Sequence, residues 1–131
     1  MEQKLLYKDL TETIIGEAME VHRNLGPGFL EGVYEDALCL ELIEAGLEFL
    51  RQEEIKISYK GEFLRHKYRA DLIVEGKVIV DNKATTGIKE IDQAQVFNYL
   101  KATGLRLGLI FNFAQKSLEW KRIICDKYFC R

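Results

Sequence analysis

The spacing of apolar residues predicts two helices at the start of the chain. Apolar side chains recur at steps of three and four residues from about Leu10 to Asn24, which indicates one buried stripe on a helix. The segment Gly26-Pro27-Gly28 ends this helix, because proline interrupts helical hydrogen bonding and glycine favours helix termination. A second helix is predicted from about Leu30 to Glu44. Its expected buried stripe consists of Val33, Tyr34, Ala37, Leu38 and Leu40.

The pattern then changes to strands. Ile55, Ile57 and Tyr59 alternate with polar residues, as in a half-buried strand, and Lys60-Gly61 reads as a turn. Two apolar runs, 70–74 and 78–80, flank a polar break and predict a β-hairpin. The remaining elements are a helix over 90–103, a buried strand over 105–113 and a final strand over 117–124. The order α-α-β-β-β-α-β-β predicts an α/β (α+β) fold with a mixed central sheet and helices on both faces.

Two acidic residues lie at related positions in the predicted hairpin. With a two-residue loop, Asp71 and Asp81 would point to opposite faces of the sheet. With the three-residue loop Glu75-Gly76-Lys77, Asp71 lies opposite Asp81, and Lys83 shares their face. We predict the three-residue loop. Two opposed carboxylates repel each other unless a cation lies between them, so this register would create a cation-binding site.

Size and composition restrict the class of protein. A chain of 131 residues with 47% hydrophobic residues predicts one globular domain spanning residues 1–131. It has no apolar run of membrane-spanning length and no signal-peptide pattern, which predicts a cytoplasmic protein without a membrane partner. Cys39, Cys125 and Cys130 are an odd number without CxxC spacing, so we expect reduced thiols.

Charge is distributed unevenly, although the net charge is only −2. Residues 1–54 hold 13 acidic and 4 basic side chains, whereas residues 55–131 hold 8 and 15. The basic half contains the hairpin, and such segregation can mark a surface that faces phosphates. Two solvated halves that attract each other would give the same pattern, so charge alone leaves both interpretations open.

Several short motifs occur in a fixed order along the chain. They are Gly28-Glu31-Tyr34, Tyr68-Arg69-Asp71, Asp81-Lys83, Gln95-Asn98-Tyr99-Leu100, the strand Gly108 to Phe113, and Lys121-Arg122. Together they resemble the GxxExxY family of the PD-(D/E)xK nuclease superfamily over residues 10–124. The chain departs from that pattern in having Ala70 where proline usually precedes the first acid, and Asp81 where glutamate is more common. The resemblance implies a restriction-endonuclease-like αβββαβ core.

The resemblance also implies a metal-dependent nuclease that hydrolyses phosphodiester bonds of DNA or RNA with Mg²⁺ or Mn²⁺. Hard divalent ions prefer carboxylate oxygens, which fits the residue types present. Asp71 and Asp81 would be metal ligands, with Glu31 completing the acidic cluster directly or through water. The backbone carbonyl of Asn82 is a further candidate ligand, and Lys83 would act on the attacking water or the phosphate charge.

Other expectations concern one helix and the partners. Gln95 and Tyr99 resemble the Gln-x-x-x-Tyr motif of the superfamily's recombination-exonuclease branch, although a helix packing face would explain them equally well. The alternatives to a nuclease are a catalytically weak or inactive nucleic-acid-binding module and a protein-interaction module that uses the acidic N-terminal helices. Selectivity for a substrate would come from a homo-oligomer or a protein partner, because the core leaves little room for a specificity domain.

Overall fold

A computed structural model describes residues 6–125 of the chain. Within these residues the chain forms three helices and five strands in the predicted order. In chain order they are α1 (Lys8–Leu25), α2 (Glu31–Glu44), β1 (Phe49–Tyr59), β2 (Glu62–Val74), β3 (Val78–Lys83), α3 (Glu90–Thr103), β4 (Leu107–Asn112) and β5 (Glu119–Ile124). No described helix has the length and apolarity needed to cross a membrane.

The five strands form one sheet in the order β1-β2-β3-β4-β5. Neighbouring strands run antiparallel except β3 and β4, which are parallel and joined by the crossover through α3. The predicted mixed sheet is therefore confirmed. The carboxyl ends of β3 and β4 lie at the same edge of the sheet, and residues Asp81, Asn82 and Lys83 occupy that end of β3.

Apolar side chains fill both faces of the sheet. Helices α1 and α2 cover one face, where Leu72 and Val80 pack with Tyr34 and Leu38 of α2. Helix α3 covers the other face, where Val96 and Leu100 pack on residues such as Ile79. Successive side chains of β3 therefore point alternately toward the α1–α2 layer and toward the α3 layer. Residues that follow Ile79 at steps of two point toward the α3 layer, as Ile79 does.

The buried face of α2 differs from the prediction. Val33 and Leu40 were expected inside, but their side chains are 38% and 68% exposed. Tyr34 and Leu38 are fully buried as predicted, and Leu42, one turn further along, is fully buried with them. Helix α2 is apolar on nearly every side, so its sequence does not indicate which stripe the sheet will cover.

The outer part of the β1–β2 ladder extends beyond the rest of the sheet. Only residues 72–74 of β2 are paired with β3, whereas its pairing with β1 continues to Glu62. We call residues 53–69, with their connecting turn, the arm. Nearly all of its side chains are exposed, and Ile55 is the buried exception. Cys39 and Cys125 are both buried, and Cys130 lies outside the described residues.

Candidate functional site

The turn between β2 and β3 sets the register of the hairpin. Glu75 and Gly76 both have positive φ angles, of 55° and 65°, and the Lys77 N–H donates to the Val74 carbonyl at 3.0 Å. Val74 pairs with Val78, so the loop contains three residues as predicted. The same register, continued by one step past the Leu72–Val80 pair, brings Asp71 opposite Asp81.

Hydrogen bonds fix the carboxylate of Asp71. Its Oδ2 atom accepts the backbone N–H of Asn82 at 2.8 Å, and its Oδ1 atom accepts Gln52 Nε2 at 3.3 Å. Gln52 also donates to both carboxylate oxygens of Glu35, at 3.0 and 3.1 Å. A polar chain therefore runs from α2 through β1 to the first acid, which limits the orientations available to Asp71.

Glu35 is the buried end of this chain. Only 7% of the residue is exposed, and Arg51 Nε donates to its Oε2 at 2.7 Å. The Arg51 guanidinium also pairs with the exposed Asp36. A buried carboxylate needs such partners, because an unpaired charge in the interior is strongly unfavourable. Glu35 thus accepts hydrogen bonds from both Arg51 and Gln52.

The carboxylate of Asp81 has fewer hydrogen-bond partners than that of Glu35. Its side chain is 14% exposed, and Lys83 Nζ approaches its Oδ2 atom to 3.1 Å. That approach lacks hydrogen-bonding geometry, and the buried Oδ2 atom accepts no hydrogen bond from residues 6–125. Burial raises the pKa of Asp81 to about 6, while Lys83 lowers it and the nearby Asp71 raises it further. A buried carboxylate oxygen without a donor suits a hard divalent cation.

Lys83 lies between two acids. Its ammonium is 3.1 Å from Asp81 and 3.8 Å from Asp92 Oδ1 at the start of α3. Burial lowers the pKa of Lys83, but Asp81, Asp92 and Glu31 together outweigh burial and raise it above 10.5. Asp92 is itself oriented by the Lys89 N–H, which donates to its other oxygen at 2.9 Å. Lys83 is therefore cationic at neutral pH.

Tyr99 closes the α3 side of the site. The residue is 7% exposed, and its ring lies 5.6 Å from that of Tyr68 on β2. Burial raises the pKa of Tyr99 to about 12, with smaller contributions from Asp81, Tyr68 and Asp71. Its hydroxyl is therefore neutral at neutral pH and can donate a hydrogen bond. Tyr99 packs between α3 and the sheet and also lies near the two acids. Its position is therefore compatible with a packing role and with a role in the site.

The structure brings some of the expected residues together and leaves others apart. Asp71, Asp81, Lys83 and Tyr99 lie in one neighbourhood, and Asn82 contributes its backbone N–H. The Asn82 side chain is 1% exposed, and neither of its polar atoms has a partner in residues 6–125.

Within residues 6–125, neither Glu31 nor Gln95 forms a hydrogen bond or an ion pair with the two carboxylates. Glu31 is exposed in the first turn of α2 and acts on Lys83 through space. Gln95 is half-buried, one turn before Tyr99. Within residues 6–125, no three or more His, Cys, Asp and Glu side chains converge to hold a metal ion on their own. The described centre is a pair of carboxylates with a lysine, and Glu31 as a third ligand stays a prediction.

Three residues of the site were not expected from the sequence. Asp92 had a usable signal, because an acid in the first turn of a helix is a frequent partner of the exposed N–H groups there. Gln52 and Glu35 had none. Their contact with Asp71 depends on where β1 crosses α2, and no spacing in the sequence records that crossing.

Comparison with known proteins identifies the family of this chain. The family profile of the PD-(D/E)XK nuclease superfamily matches residues 8–123. The chain belongs to this superfamily. Its mixed five-stranded sheet with flanking helices is the restriction-endonuclease-like fold that the resemblance implied, so the predicted fold class is confirmed. Nucleases of the superfamily generally use divalent metals.

A solved structure supports the same fold. The crystal structure of SSO0001 superposes on this superfamily member with a TM-score of 0.57 at 19% sequence identity. The match covers 72% of this chain and 49% of that chain, so this chain spans about half the length of SSO0001. At this identity the similarity concerns the fold alone. No curated protein sequence matches the chain significantly.

Proposed function

We propose that the chain is a divalent-metal-dependent nuclease that hydrolyses phosphodiester bonds of DNA or RNA. One observation carries this proposal: Asp71 and Asp81 face each other at the end of the hairpin, beside Lys83 and with a buried carboxylate oxygen that lacks a donor. Such a pair is unfavourable without a cation. We assign the chain to the GxxExxY group of the superfamily on its motifs, and expect a single cytoplasmic domain over residues 1–131.

The metal ligands we propose come from the hairpin. Asp71 and Asp81 hold the ion through their carboxylates, and the backbone carbonyl of Asn82 is a third oxygen donor on the same strand. Glu31, in the first turn of α2, completes the set directly or through water. Mg²⁺ or Mn²⁺, when bound, supplies positive charge beside the scissile phosphate and makes a neighbouring water more acidic.

Lys83 and Tyr99 supply the remaining chemistry in this proposal. Because the neighbouring acids raise the pKa of Lys83, it acts as a cation that offsets charge on the phosphoryl oxygens rather than as a base. Tyr99 keeps its proton at neutral pH and can donate it in a hydrogen bond to a phosphate oxygen. Gln95, one turn earlier on α3, would contact the nucleic-acid backbone.

The test is to measure metal binding and cleavage with the same variant. Wild type should bind Mn²⁺ by calorimetry and cleave at least one member of a panel of single- and double-stranded DNA and RNA. Asp81→Ala should lose both activities, whereas Glu44→Ala, an exposed acid at the end of α2, should keep both. Wild-type protein that binds no Mn²⁺ and cleaves no substrate would contradict the proposal.

The pH dependence of Mn²⁺ binding provides a second test. The pKa of Asp81 is about 6 in the metal-free protein, so below pH 6 a proton competes with the ion for this carboxylate. Affinity should therefore fall steeply between pH 7 and pH 5 and be nearly constant above pH 7. An affinity that does not change over this range would exclude Asp81 as a ligand.

A protein-interaction function has one observation in its favour. Helix α2 exposes Leu40 and Ile43, which are 68% and 62% accessible, and Leu50 of β1 is 54% accessible nearby. Exposed apolar surfaces of this kind often bind another protein or a second copy of the same chain. Sedimentation of wild type and Leu40→Ser distinguishes the cases. If wild type is a dimer and Leu40→Ser is a monomer, this surface forms the dimer interface. If wild type is a monomer at all concentrations, self-association through this surface is excluded and the nuclease proposal is unaffected.

A further inference from the structure

A cavity of about 860 Å³ lies between the arm and helix α3, outside the carboxylate pair. The arm contributes Lys56, Lys60, Phe63 and Tyr68 to its lining, and α3 contributes Asn98 and Lys101. The proposed nuclease chemistry does not use this cavity. Its lining nevertheless combines lysines with exposed aromatic rings.

The charge of this cavity is of one sign. Three lysines line it, and no acidic residue is present among its lining residues, which all belong to the described part of the chain. This differs from the chain as a whole, whose net charge is −2. A concave surface lined by cations with low-dielectric walls concentrates the local field and attracts polyanions. The occupant favoured by charge is therefore a chain of phosphates.

Aromatic rings accompany the lysines. Phe63 is 69% exposed and Tyr68 is 44% exposed, although large aromatic side chains generally gain from burial. The Lys56 ammonium lies 5.3 Å from the Phe63 ring, and the Lys101 ammonium lies 5.6 Å from the Phe97 ring. Cations that follow a groove and exposed rings within it are the combination that binds single-stranded nucleic acid, with phosphates on the cations and bases stacked on the rings.

The ring of Tyr68 connects the cavity with the surroundings of the carboxylate pair. Tyr68 lines the cavity, and its ring is 5.6 Å from Tyr99, the neighbour of Asp71 and Asp81. Along β2, Tyr68 is three residues from Asp71 and Phe63 is eight, which corresponds to roughly 10 Å and 26 Å at about 3.3 Å per residue. A strand lying in the cavity would therefore extend from the acids along the arm over several nucleotides.

We propose that this groove binds an unpaired nucleic-acid strand and delivers it to the carboxylate pair, with phosphates on Lys56, Lys60 and Lys101 and bases on Phe63 and Tyr68. The inference rests on the proposed nuclease function and names its substrate class as single-stranded DNA or RNA. A duplex is disfavoured, because its bases stack on each other and present no free face to the rings.

Binding is measured first, without cleavage. Fluorescence anisotropy in EDTA compares labelled oligo(dT), oligo(U) and a duplex of equal length. We expect at least one single strand to bind more tightly than the duplex. Phe63→Ala should weaken single-strand binding by about 5- to 150-fold, the range expected for the loss of one base stack. Trp120→Ala, an exposed aromatic on β5 at the opposite edge of the sheet, should leave binding unchanged.

The lysines are tested through salt dependence. Lys101→Ala should lower affinity and reduce the slope of log K against log salt by about 0.7, as expected when one phosphate contact with a single strand is lost. Lys77→Ala is the matched control, because Lys77 also lies over an aromatic ring, at 5.7 Å from Tyr7, but in the distant β2–β3 turn. Equal effects of Lys101→Ala and Lys77→Ala would overturn the assignment of Lys101.

Cleavage in Mn²⁺ separates this inference from the proposed function. Wild type that cleaves but prefers a duplex, with Phe63→Ala unaffected, retains the nuclease function and refutes the groove. Wild type that binds single strands through Phe63 but cleaves nothing retains the groove and refutes the nuclease. Thermal unfolding of each variant accompanies these measurements, and unchanged melting of Phe63→Ala would show that lost binding is not lost folding.

Discussion

The two halves of strand β2 behave as different structures. In the inner half, Leu72 and Val74 are fully buried and Ile73 is 8% exposed, between β1 and β3. In the outer half, Phe63 is 69% exposed and Leu64 is 43% exposed, and β1 is the only neighbouring strand among the described residues. One continuous strand therefore serves both as the centre of the core and as an accessible surface.

This difference determines which chemistry each half can hold. Burial of apolar side chains stabilises the inner half strongly, so it tolerates the unfavourable pairing of Asp71 with Asp81 at its end. The arm gains little from burial and depends on its ladder and on exposed ion pairs, such as Lys67 with Glu54 at 3.2 Å. Strong burial allows a strained charge arrangement, and weak burial leaves side chains free to contact a ligand.

The largest effect we expect is on stability, and it contrasts two leucines of the same strand. Leu72→Ala removes a fully buried side chain and should lower the free energy of unfolding by about 2–5 kcal/mol. Leu64→Ala, on the exposed arm, should change it by less than about 0.5 kcal/mol. Urea denaturation of both variants measures this. Similar losses would mean that the arm contributes to the folding core after all.

The second prediction contrasts two lysines that flank β3. Lys83→Ala should reduce the cleavage rate by about 10²- to 10³-fold, as expected for one electrostatic group acting on the transition state, and should leave Mn²⁺ affinity largely unchanged. Lys77→Ala, in the exposed turn at the other end of β3, should alter neither quantity. Loss of Mn²⁺ binding in Lys83→Ala would assign this lysine to organising the carboxylates instead.

Much of this architecture could be predicted from the sequence, because local signals and tertiary structure agree. The glycine in the β2–β3 turn and the apolar runs on either side predicted the hairpin, and the predicted three-residue loop, one of two that these residues allow, brings Asp71 opposite Asp81. Helix α3 spans residues 90–103 as predicted, since Gly104, with a φ of 80°, ends it. Such signals depend only on neighbouring residues and are visible without a fold.

The remaining features depend on packing between distant segments. The exposed position of Leu40 depends on how α2 packs on the sheet, and the hydrogen-bonded series Glu35, Gln52 and Asp71 depends on the contact between α2 and β1. The pair Lys121-Arg122 is a further case. Arg122 does not lie free for phosphates, because its guanidinium donates to Thr11 Oγ1 at 3.1 Å and to the Leu6 carbonyl at 2.6 Å. The sequence spacing alone does not show whether Arg122 contacts the α1 region or binds a phosphate.

The third prediction concerns the stability cost of the buried acid. Asp81 has a pKa of about 6 when folded and 3.8 as a reference, so the folded state binds this proton more tightly. The contribution of the Asp81 proton to the free energy of unfolding is fully present below pH 3.8 and is lost as the pH rises through 6. Asp81→Asn should therefore stabilise the metal-free protein by up to about 3 kcal/mol at pH 7.5, at about 1.36 kcal/mol per pKa unit.

The control for this prediction is the same pair of proteins at low pH. At pH 4 the folded wild type is already protonated at Asp81, so the advantage of Asp81→Asn should nearly disappear. Unfolding by urea in EDTA at several pH values measures the difference. An advantage that is constant with pH would show that the substitution acts through packing, and a loss of stability at pH 7.5 would show that the Lys83 ion pair outweighs burial.

The smallest effect we expect comes from the contact between the inner sheet and α3. A Cβ atom added at Gly108 of β4 would lie 2.6 Å from Val96 Cγ1, closer than carbon atoms can approach. Gly108→Ala should therefore destabilise the protein by about 1–3 kcal/mol, because α3 or the Val96 side chain has to move. Val96→Ala removes the clashing atom and alone creates a small void.

The double variant identifies the cause. If the methyl group added at Gly108 occupies the space that Val96 vacates, the two destabilisations should be less than additive by about 0.5–3 kcal/mol in a cycle of four proteins unfolded by urea. Strict additivity would contradict the steric explanation. Because α3 also carries Tyr99 beside the acids and Lys101 in the groove, Gly108→Ala alone should weaken single-strand binding, and Val96→Ala added to it should restore that binding. Recovery of both stability and binding would show that the core under α3 positions the surface that contacts the strand.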